Sequence, residues 1–208
     1  MPSKPTLTLV AGPSGSGKSI RFAVGDAGVD AFNVDDRCRD LHGSAQGIPA
    51  PVRAQATREC EAFVEAHIRD RKSFATETTL RTAVAIEQAL RAKAAGFFTS
   101  IIYLGTGDVE INVERVRRRG VAGGHSAPPQ VIRDNYVRSL ANLPAALAAF
   151  DAGAVYDNSG TEPRLVLEVR QGRMQAVQAP LPAWVREALA AEKRPLIKGI
   201  RRISAMGT

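Results

Sequence analysis

The sequence predicts an α/β fold in which helices flank a mostly parallel sheet of about five strands, followed by a small C-terminal hairpin and helix. Short apolar or β-branched runs alternate with longer stretches of helical periodicity. Several of these runs are apolar at consecutive positions, as in parallel strands that are covered on both faces. With 208 residues, 44% of them hydrophobic, we expect one domain over residues 1–208, with its core at about 6–160.

The elements follow from local patterns along the chain. Residues Ala83, Ile86, Leu90 and Ala94 share one face of a predicted helix, Asp108 is a good N-cap for the next one, and Pro144 should end or kink the one after that. Strands are predicted at Thr6–Ala11, Ala31–Asp35, Ser73–Glu77, Thr99–Leu104 and Ala154–Tyr156, with a hairpin formed by Leu165–Val169 and Met174–Val177. Helices are predicted at Lys18–Val24, Val52–Arg71, Arg81–Ala95, Asp108–Arg119, Pro129–Phe150 and Ala183–Glu192.

A glycine-rich segment, GPSGSGKS, follows the first predicted strand directly and has the form G-x-x-x-x-G-K-[ST]. In this pattern the backbone N–H groups surround phosphate, the lysine adds a fixed positive charge, and the final hydroxyl ligates Mg²⁺ at a helix N-terminus. The segment therefore predicts a phosphate-loop NTPase fold with ATP and Mg²⁺ as ligands, and Ser19 as the metal ligand. The predicted nucleotide-binding residues are Gly12, Pro13, Ser14, Gly15, Ser16, Gly17, Lys18 and Ser19.

Two adjacent carboxylates, Asp35 and Asp36, stand at the predicted carboxyl end of the second strand. Parallel α/β sheets bind their ligands at this edge, and a kinase needs a group that accepts the proton of the acceptor hydroxyl. We interpret Asp35 as this base and Asp36 as a helix N-cap that lies beside the substrate. Because adjacent strand residues point to opposite sides, only one of the two should reach the reacting group.

A third carboxylate, Glu77, closes the next predicted strand. A carboxylate after a buried strand is costly unless it is exposed, paired or bound to a ligand, so we expect Glu77 to bind the acceptor or a water on Mg²⁺. Thr78, Thr79 and Arg81 follow it and are predicted to contact the same substrate, although Thr79 or Thr82 could equally cap a helix.

Arginines precede and follow a glycine-rich segment at residues 120–125. Phosphoryl transfer requires cations at the γ-phosphate, and we predict that Arg119 and Arg133 supply them. Together with Lys18 and Asp35 they complete the predicted catalytic set. Arginine in the last turn of a helix is also favoured by the helix dipole.

Composition limits the other function classes. The net charge of +7 is compatible with binding to phosphates, acidic proteins or nucleic acid. Because aromatic residues do not alternate with the basic residues, we do not expect a nucleic-acid ligand. The apolar runs are too short to cross a bilayer and the N-terminus does not resemble a signal peptide, so we expect a cytoplasmic protein without a membrane partner. The two cysteines have no metal-ligand spacing.

Taken together, these segments resemble the zeta toxin family of phosphate-loop kinases over roughly Thr6 to Gly160. The resemblance rests on an ordered set of motifs: GPSGSGKS, FNVDD, SFATETTLR, GGHSAP, IRDNYVRSLANL and YDNSG. It implies an ATP-dependent kinase that phosphorylates a sugar hydroxyl of a UDP-N-acetylhexosamine. It also implies an antitoxin protein as a partner.

The resemblance assigns roles to residues of this chain. Lys18 and Ser19 match the phosphate and Mg²⁺ contacts, Asp35 the base, Glu77 and Thr79 the substrate segment, and Arg119 and Arg133 the basic residues at the γ-phosphate. Asn158 and Ser159 match a further family motif near the nucleotide. GGHSAP and IRDNY depart from the commoner family patterns, valine before the proline in the first and additional basic residues in the second.

Other functions fit the same residues. The acceptor could be an antibiotic, a nucleoside or another sugar, because the phosphate loop and the aspartate would serve each of them. The basic balance suggests a polynucleotide kinase as an alternative, which predicts salt-sensitive binding of nucleic acid. A binding module without phosphoryl transfer is a third class, against which the candidate base argues.

Overall fold

The computed structural model describes residues 4–170, 173–177 and 179–191. Within them, seven strands form one sheet in the order β2-β3-β1-β4-β5-β6-β7. The strands are β1 Thr6–Ala11, β2 Asp30–Phe32, β3 Phe74–Thr78, β4 Phe98–Gly105, β5 Ala152–Asp157, β6 Arg164–Arg170 and β7 Arg173–Ala176. The helices are α1 Lys18–Arg21, α2 Val34–His42, α3 Ala50–Asp70, α4 Val84–Ala94, α5 Val109–Val121, α6 Pro129–Ala149 and α7 Ala183–Ala190.

The first five strands in spatial order, β2 to β5, are parallel, whereas β6 and β7 pair antiparallel at one edge. This arrangement confirms the predicted parallel sheet with a terminal hairpin. Strand β1 is central, and its Leu9 lies opposite Thr76 of β3 and Ile101 of β4. The carboxyl ends of β1, β3 and β4 therefore meet at one edge of the sheet, where the phosphate loop begins.

The core packs large side chains between the sheet and the helices. Phe74, Phe97 and Tyr103 are fully buried, and Trp184 of α7 covers Gly105 so closely that a Cβ there would lie 2.4 Å from the indole ring. Burial of each large apolar side chain contributes on the order of 1.5–3 kcal/mol, which offsets the conformational entropy lost on folding. The strands whose carboxyl ends carry the phosphate loop are thus held in place by a packed core.

Strand β2 is shorter than predicted, and the two aspartates lie in a helix instead. Asn33 is the N-cap of α2, and its side chain accepts hydrogen bonds from the backbone N–H groups of Asp35 and Asp36 at 2.8 and 3.4 Å. Carboxylates are favoured in a first helical turn by the helix dipole. The prediction of Asp36 as the N-cap, and of both aspartates as strand residues, was therefore wrong.

Three other helix predictions need correction. Helix α1 ends at Arg21 and a 3₁₀ turn follows at Val24–Ala27, whereas the predicted helix continued to Val24. Helix α4 begins at Val84, whereas the predicted helix began at Arg81. Its N-cap residue is Ala83, so neither Thr79 nor Thr82 caps it. Pro144 does not end α6, which continues to Ala149, so of the two predicted alternatives only a kink is left. Burial of Leu143, Ala146 and Leu147 around Pro144 compensates for the lost hydrogen bond.

The N-cap role predicted for Asp108 is confirmed, because its carboxylate accepts from the N–H of Glu110 at 2.9 Å. Cys38 and Cys60 are both free thiols. The hairpin turn at Gln171 and Gly172, the predicted last helical residue Glu192 and the basic segment at 193–202 lie outside the described residues. Within the described ranges, no helix combines the length and apolarity needed to cross a membrane.

Candidate active site

The phosphate loop connects β1 to α1 and needs glycine for conformation and for space. Gly12 and Gly15 have φ angles of 140° and 79°, in the region that other residues rarely adopt. A Cβ on Gly12 would lie 2.1 Å from the carbonyl oxygen of Leu104, and one on Gly15 would lie 2.5 Å from that of Asn112. The loop is therefore pressed against β4 and α5, which hold its backbone in place.

Lys18 is the first residue of α1, and its side chain is buried beside the loop. Its Nζ donates hydrogen bonds to the carbonyl oxygens of Gly12 at 2.7 Å and Pro13 at 3.2 Å, and lies 3.8 Å from Glu77 Oε1. Burial lowers the pKa of Lys18, and the negative charges of Glu77 and Asp35 act in the opposite direction. A phosphate bound in the loop would give this ammonium group a closer anion than Glu77 provides.

Glu77 lies next to the end of β3, and its side chain is only 12% exposed. Burial raises the pKa of Glu77, whereas the charge of Lys18 opposes this shift. Its second oxygen accepts a hydrogen bond of 3.2 Å from Nδ2 of Asn33. The carboxylate is thus paired, as its position after a buried strand requires.

Two neighbouring cavities open at this edge of the sheet. The larger cavity has a volume of about 780 Å³ and is lined by the phosphate loop, α1, α2 and α5. The smaller cavity has a volume of about 380 Å³ and is lined by parts of α2, α3, α6 and the end of β3. Residues that line both cavities mark where two ligands would meet: Ser14, Asn33, Asp35, Glu77, Thr79 and His125.

The two adjacent aspartates differ in position. Asp35 lines both cavities and forms an ion pair of 3.2 Å with Arg53, which also lines the smaller one. Asp36 lines the larger cavity and pairs with Arg39 one turn along α2, at 3.1 Å. Asp35 therefore borders the junction between the two cavities, whereas Asp36 borders only the larger one.

The predicted substrate segment lines the smaller cavity. Thr78, Thr79 and Arg81 all contribute to its wall, opposite Arg53 of α3 and Asn135 of α6. Arg53 belongs to none of the sequence motifs, and Asn135 lies within IRDNYVRSLANL without having been singled out, so neither was predicted as a site residue. The segment thus provides hydroxyl groups and a cation beside Asp35.

The arginines divide into two groups. Arg119 lines the larger cavity together with Arg115 and Arg118 of the same helix. Arg133 lines neither cavity, because its guanidinium binds both carboxylate oxygens of Glu110 at 2.8 and 3.0 Å. Arg119 thus lies on the larger cavity, whereas Arg133 lies outside both cavities and is paired with Glu110, and the role of each at the γ-phosphate stays a prediction.

The segment between α5 and α6 borders both cavities. Gly124 lines the larger one, Pro128 lines the smaller one, and His125 lines both. Nε of Arg119 donates to the carbonyl oxygen of His125 at 2.9 Å. Nε2 of Gln46, from the loop between α2 and α3, donates to the carbonyl oxygen of Gly120 at 2.8 Å. The loop between α2 and α3 thus contacts the last turn of α5, next to the segment that borders both cavities.

The site fits a nucleotide with Mg²⁺. Ser19 lines the larger cavity at the start of α1, with Asp35 and Asp36 also on its wall. Among the described residues, no three His, Cys, Asp or Glu side chains are grouped to hold a metal ion by themselves. Binding of Mg²⁺ by the Ser19 hydroxyl together with phosphate oxygens stays a prediction of the loop motif.

Similarity searches find related proteins at low sequence identity. No protein-family model matches the chain. An uncharacterised protein of Haemophilus influenzae is 28% identical over 126 residues, which are 60% of this chain and 88% of that protein. This match does not assign a function.

Solved structures share the fold. A chain of the AvrRxo1-ORF1:AvrRxo1-ORF2 complex crystallised with ATP has a TM-score of 0.69 and 16% identity, and the match covers 94% of this chain. This chain spans only 66% of that one, slightly less than two thirds. A chain of the PezAT toxin–antitoxin system of Streptococcus pneumoniae has a TM-score of 0.61 and 17% identity, with 92% of this chain and 86% of that one covered.

This chain shares the fold of these AvrRxo1-ORF1:AvrRxo1-ORF2 and PezAT chains. The motifs that carry its resemblance to zeta toxins lie around the two cavities. Five residues of GPSGSGKS and Asn158 of YDNSG line the larger cavity, four residues of ETTLR line the smaller one, and His125 of GGHSAP lines both.

Proposed function

We propose that this protein is an ATP-dependent kinase that transfers the γ-phosphoryl group to a sugar hydroxyl of a UDP-N-acetylhexosamine. The observation that carries the proposal is the junction of the two cavities at Asp35 and Glu77, directly beside Lys18 of the phosphate loop. Phosphoryl transfer needs a donor and an acceptor held in line, with a carboxylate at the attacking oxygen. The choice of acceptor rests on the resemblance to zeta toxins.

ATP would occupy the larger cavity with its phosphates on residues 12–19. Lys18 would exchange the Gly12 and Pro13 carbonyl groups for phosphate oxygens, and Arg119 would face the γ-phosphate from α5. Ser19 would hold Mg²⁺, which neutralises charge on the β- and γ-phosphates when it is bound. These groups stabilise the negative charge that spreads over the transferred phosphoryl group.

The acceptor would occupy the smaller cavity with its hydroxyl at Asp35. The hydroxyl oxygen forms a bond to the γ-phosphorus, the bond between that phosphorus and the β–γ bridging oxygen breaks, and ADP leaves. Asp35 accepts the hydroxyl proton. Glu77, Thr79 and Arg81 would orient the acceptor, since they lie on the wall of the same cavity.

An inhibitory protein would be expected if the chain acts as a toxin. The PezAT structure contains a toxin–antitoxin system, and AvrRxo1-ORF1 was crystallised with a second protein. We propose an antitoxin that covers the nucleotide site, where the basic side chains Arg115, Arg118 and Arg119 would suit an acidic partner. Dependence on ATP favours the cytoplasm as its place of action.

The first test is mass spectrometry of candidate acceptors after incubation with the purified protein, ATP and Mg²⁺. The panel contains UDP-N-acetylglucosamine, free sugars, nucleosides and an aminoglycoside. We expect phosphorylated UDP-N-acetylglucosamine with the wild type and a loss of about 10²–10⁴-fold in rate with Asp35→Asn. Asp40→Asn is the matched control, because this exposed aspartate is on the same helix and lines neither cavity.

Each outcome separates the alternatives. Phosphorylation of another panel member would retain the kinase mechanism and replace the acceptor. Absence of any phosphorylated product, together with DNA or RNA binding that weakens steeply with salt, would favour a nucleic-acid enzyme. Wild-type turnover by Asp35→Asn would remove this residue from the proposed mechanism.

A further inference from the structure

The phosphate loop must direct its backbone carbonyl groups away from the ligand. Backbone N–H groups bind phosphate only when they point into the site, and several of the carbonyl groups then point into the protein. Buried carbonyl groups need partners, because an unpaired one costs the free energy of its lost hydration. In this chain two of them, on Ser14 and Ser16, are bound by side-chain amides from outside the loop.

The first amide belongs to Asn112, which is fully buried on α5. Its Nδ2 donates to the carbonyl oxygen of Ser14 at 2.7 Å, and its Oδ1 accepts from the hydroxyl of Thr106. The hydroxyl of Tyr136, on α6, donates to the Thr106 carbonyl oxygen at 2.6 Å. Because the Thr106 hydroxyl binds Oδ1, the amide is oriented with its N–H toward the loop.

The second amide belongs to Asn158, which follows β5 and is 3% exposed. Its Nδ2 donates to the carbonyl oxygen of Ser16 at 2.7 Å, and its backbone N–H is bound to the Gly105 carbonyl oxygen at 2.8 Å. The same Nδ2 lies 2.5 Å from where a Cβ on Gly17 would be. Asn158 therefore packs against the loop at the residue before Lys18.

We infer that Asn112 and Asn158 are positioning residues that form an amide clamp on the phosphate loop. Each holds one carbonyl group of the loop away from the ligand and toward the protein interior. The N–H groups between them then stay directed at the β- and γ-phosphates. The inference rests on the proposed function, since it takes the larger cavity to bind ATP. Asn112 also lies on the same helix as Arg115, Arg118 and Arg119, so the clamp fixes the loop relative to the cations that face it.

The clamp acts on phosphates and not on the rest of a nucleotide. Loss of either amide would let a loop peptide rotate to solvate its free carbonyl group, which turns an N–H group away from the ligand. We therefore expect Asn112→Ala and Asn158→Ala each to weaken ATP binding about tenfold, as for a lost buried hydrogen bond. The affinity for AMP should change less than twofold.

The experiment measures the dissociation constants of ATP and AMP by calorimetry, the KM values for ATP and acceptor, and the melting temperature without ligand. Ser139→Ala is the matched control, because its fully buried hydroxyl is bound to Tyr103 and lines neither cavity. We expect the control to lose stability and to keep its ratio of AMP to ATP dissociation constants. Either clamp variant alone decides the question if the other does not fold.

Three results would overturn the inference. ATP affinity within twofold of the wild type in both clamp variants would show that the amides do not position the loop. Equal losses for ATP and AMP would indicate a general structural defect. A wild type that binds no ATP would overturn the proposed function as well, whereas the first two results leave that proposal intact.

Discussion

At the scale of single residues, the carboxylates are distinguished by their neighbours more than by their own chemistry. Asp35 and Asp36 follow one another in the sequence, yet only Asp35 lines both cavities. Each is half-exposed and paired with an arginine, Arg53 for the first and Arg39 for the second. Their roles therefore depend on which ligand each can reach.

This difference predicts unequal effects of the same substitution. Asp35→Asn should reduce kcat by about 10²–10⁴-fold, because it removes the proton acceptor. Asp36→Asn should change kcat by less than tenfold, since Asp36 does not line the smaller cavity. Steady-state kinetics with saturating ATP and acceptor would test the pair. A larger loss in Asp36→Asn would exchange the two assignments.

A local sequence pattern predicts where a side chain lies when nearby chain determines its position, but not when a tertiary partner does. The phosphate loop follows a strand directly and Glu77 lies at the end of one, so both positions could be predicted from the sequence. The pairing of Arg133 with Glu110 could not, because Glu110 is on another helix. Asn112 was missed because nothing near it in the sequence indicates that its amide reaches Ser14.

At the scale of secondary structure, α2 shows how one side chain can both start a helix and organise a site. Asn33 caps α2 through Oδ1, while its Nδ2 donates to Glu77. The predicted second strand, Ala31–Asp35, included Asn33, because a short apolar run before two aspartates does not reveal where a strand ends. The parallel strands themselves were predictable from their consecutive apolar positions.

The two roles of Asn33 can be separated by substitution. Asn33→Ala should lower the free energy of unfolding by about 1 kcal/mol through loss of the cap and should also reduce kcat. Asn33→Ser keeps an oxygen for the cap but lacks the amide that binds Glu77, so it should retain more stability than Asn33→Ala and have a similarly reduced kcat. Urea unfolding and kinetics of both variants provide the test. Equal stability in the two would contradict the capping role.

At the scale of the whole molecule, Asp157 connects the end of β5 to other parts of the fold. Its carboxylate accepts from Ser159 Oγ at 2.5 Å, Arg164 Nη2 at 2.8 Å and Trp184 Nε1 at 3.4 Å. Burial alone would raise the pKa of Asp157, but hydrogen bonds from Ser159 and Arg164 hold it below its usual value. The ionised carboxylate thus ties β6 and α7 to the strand that precedes Asn158.

This network predicts a defined pH dependence. A lowered pKa in the folded state stabilises the protein above the unfolded pKa of about 4, and this contribution is lost as the pH falls through the lowered value. Asp157→Asn should lower the free energy of unfolding by about 1–3 kcal/mol at pH 7, with a smaller difference below pH 4. Urea titrations at pH 7, 5, 4 and 3 would measure it. A difference that is constant with pH would mean that ionisation of Asp157 is not involved.

The segment between α5 and α6 has a consequence for how the two ligands would communicate. His125 is part of the wall of both cavities, and Arg119 binds its carbonyl oxygen, while Gln46 binds that of Gly120 in the last turn of α5. A kinase wastes ATP when water reaches the γ-phosphate before the acceptor does. Because one stretch of chain borders both cavities, under the proposed function an acceptor bound against His125 would also change how far the triphosphate is enclosed. The same segment between α5 and α6 would then both favour transfer to the acceptor and protect ATP from hydrolysis.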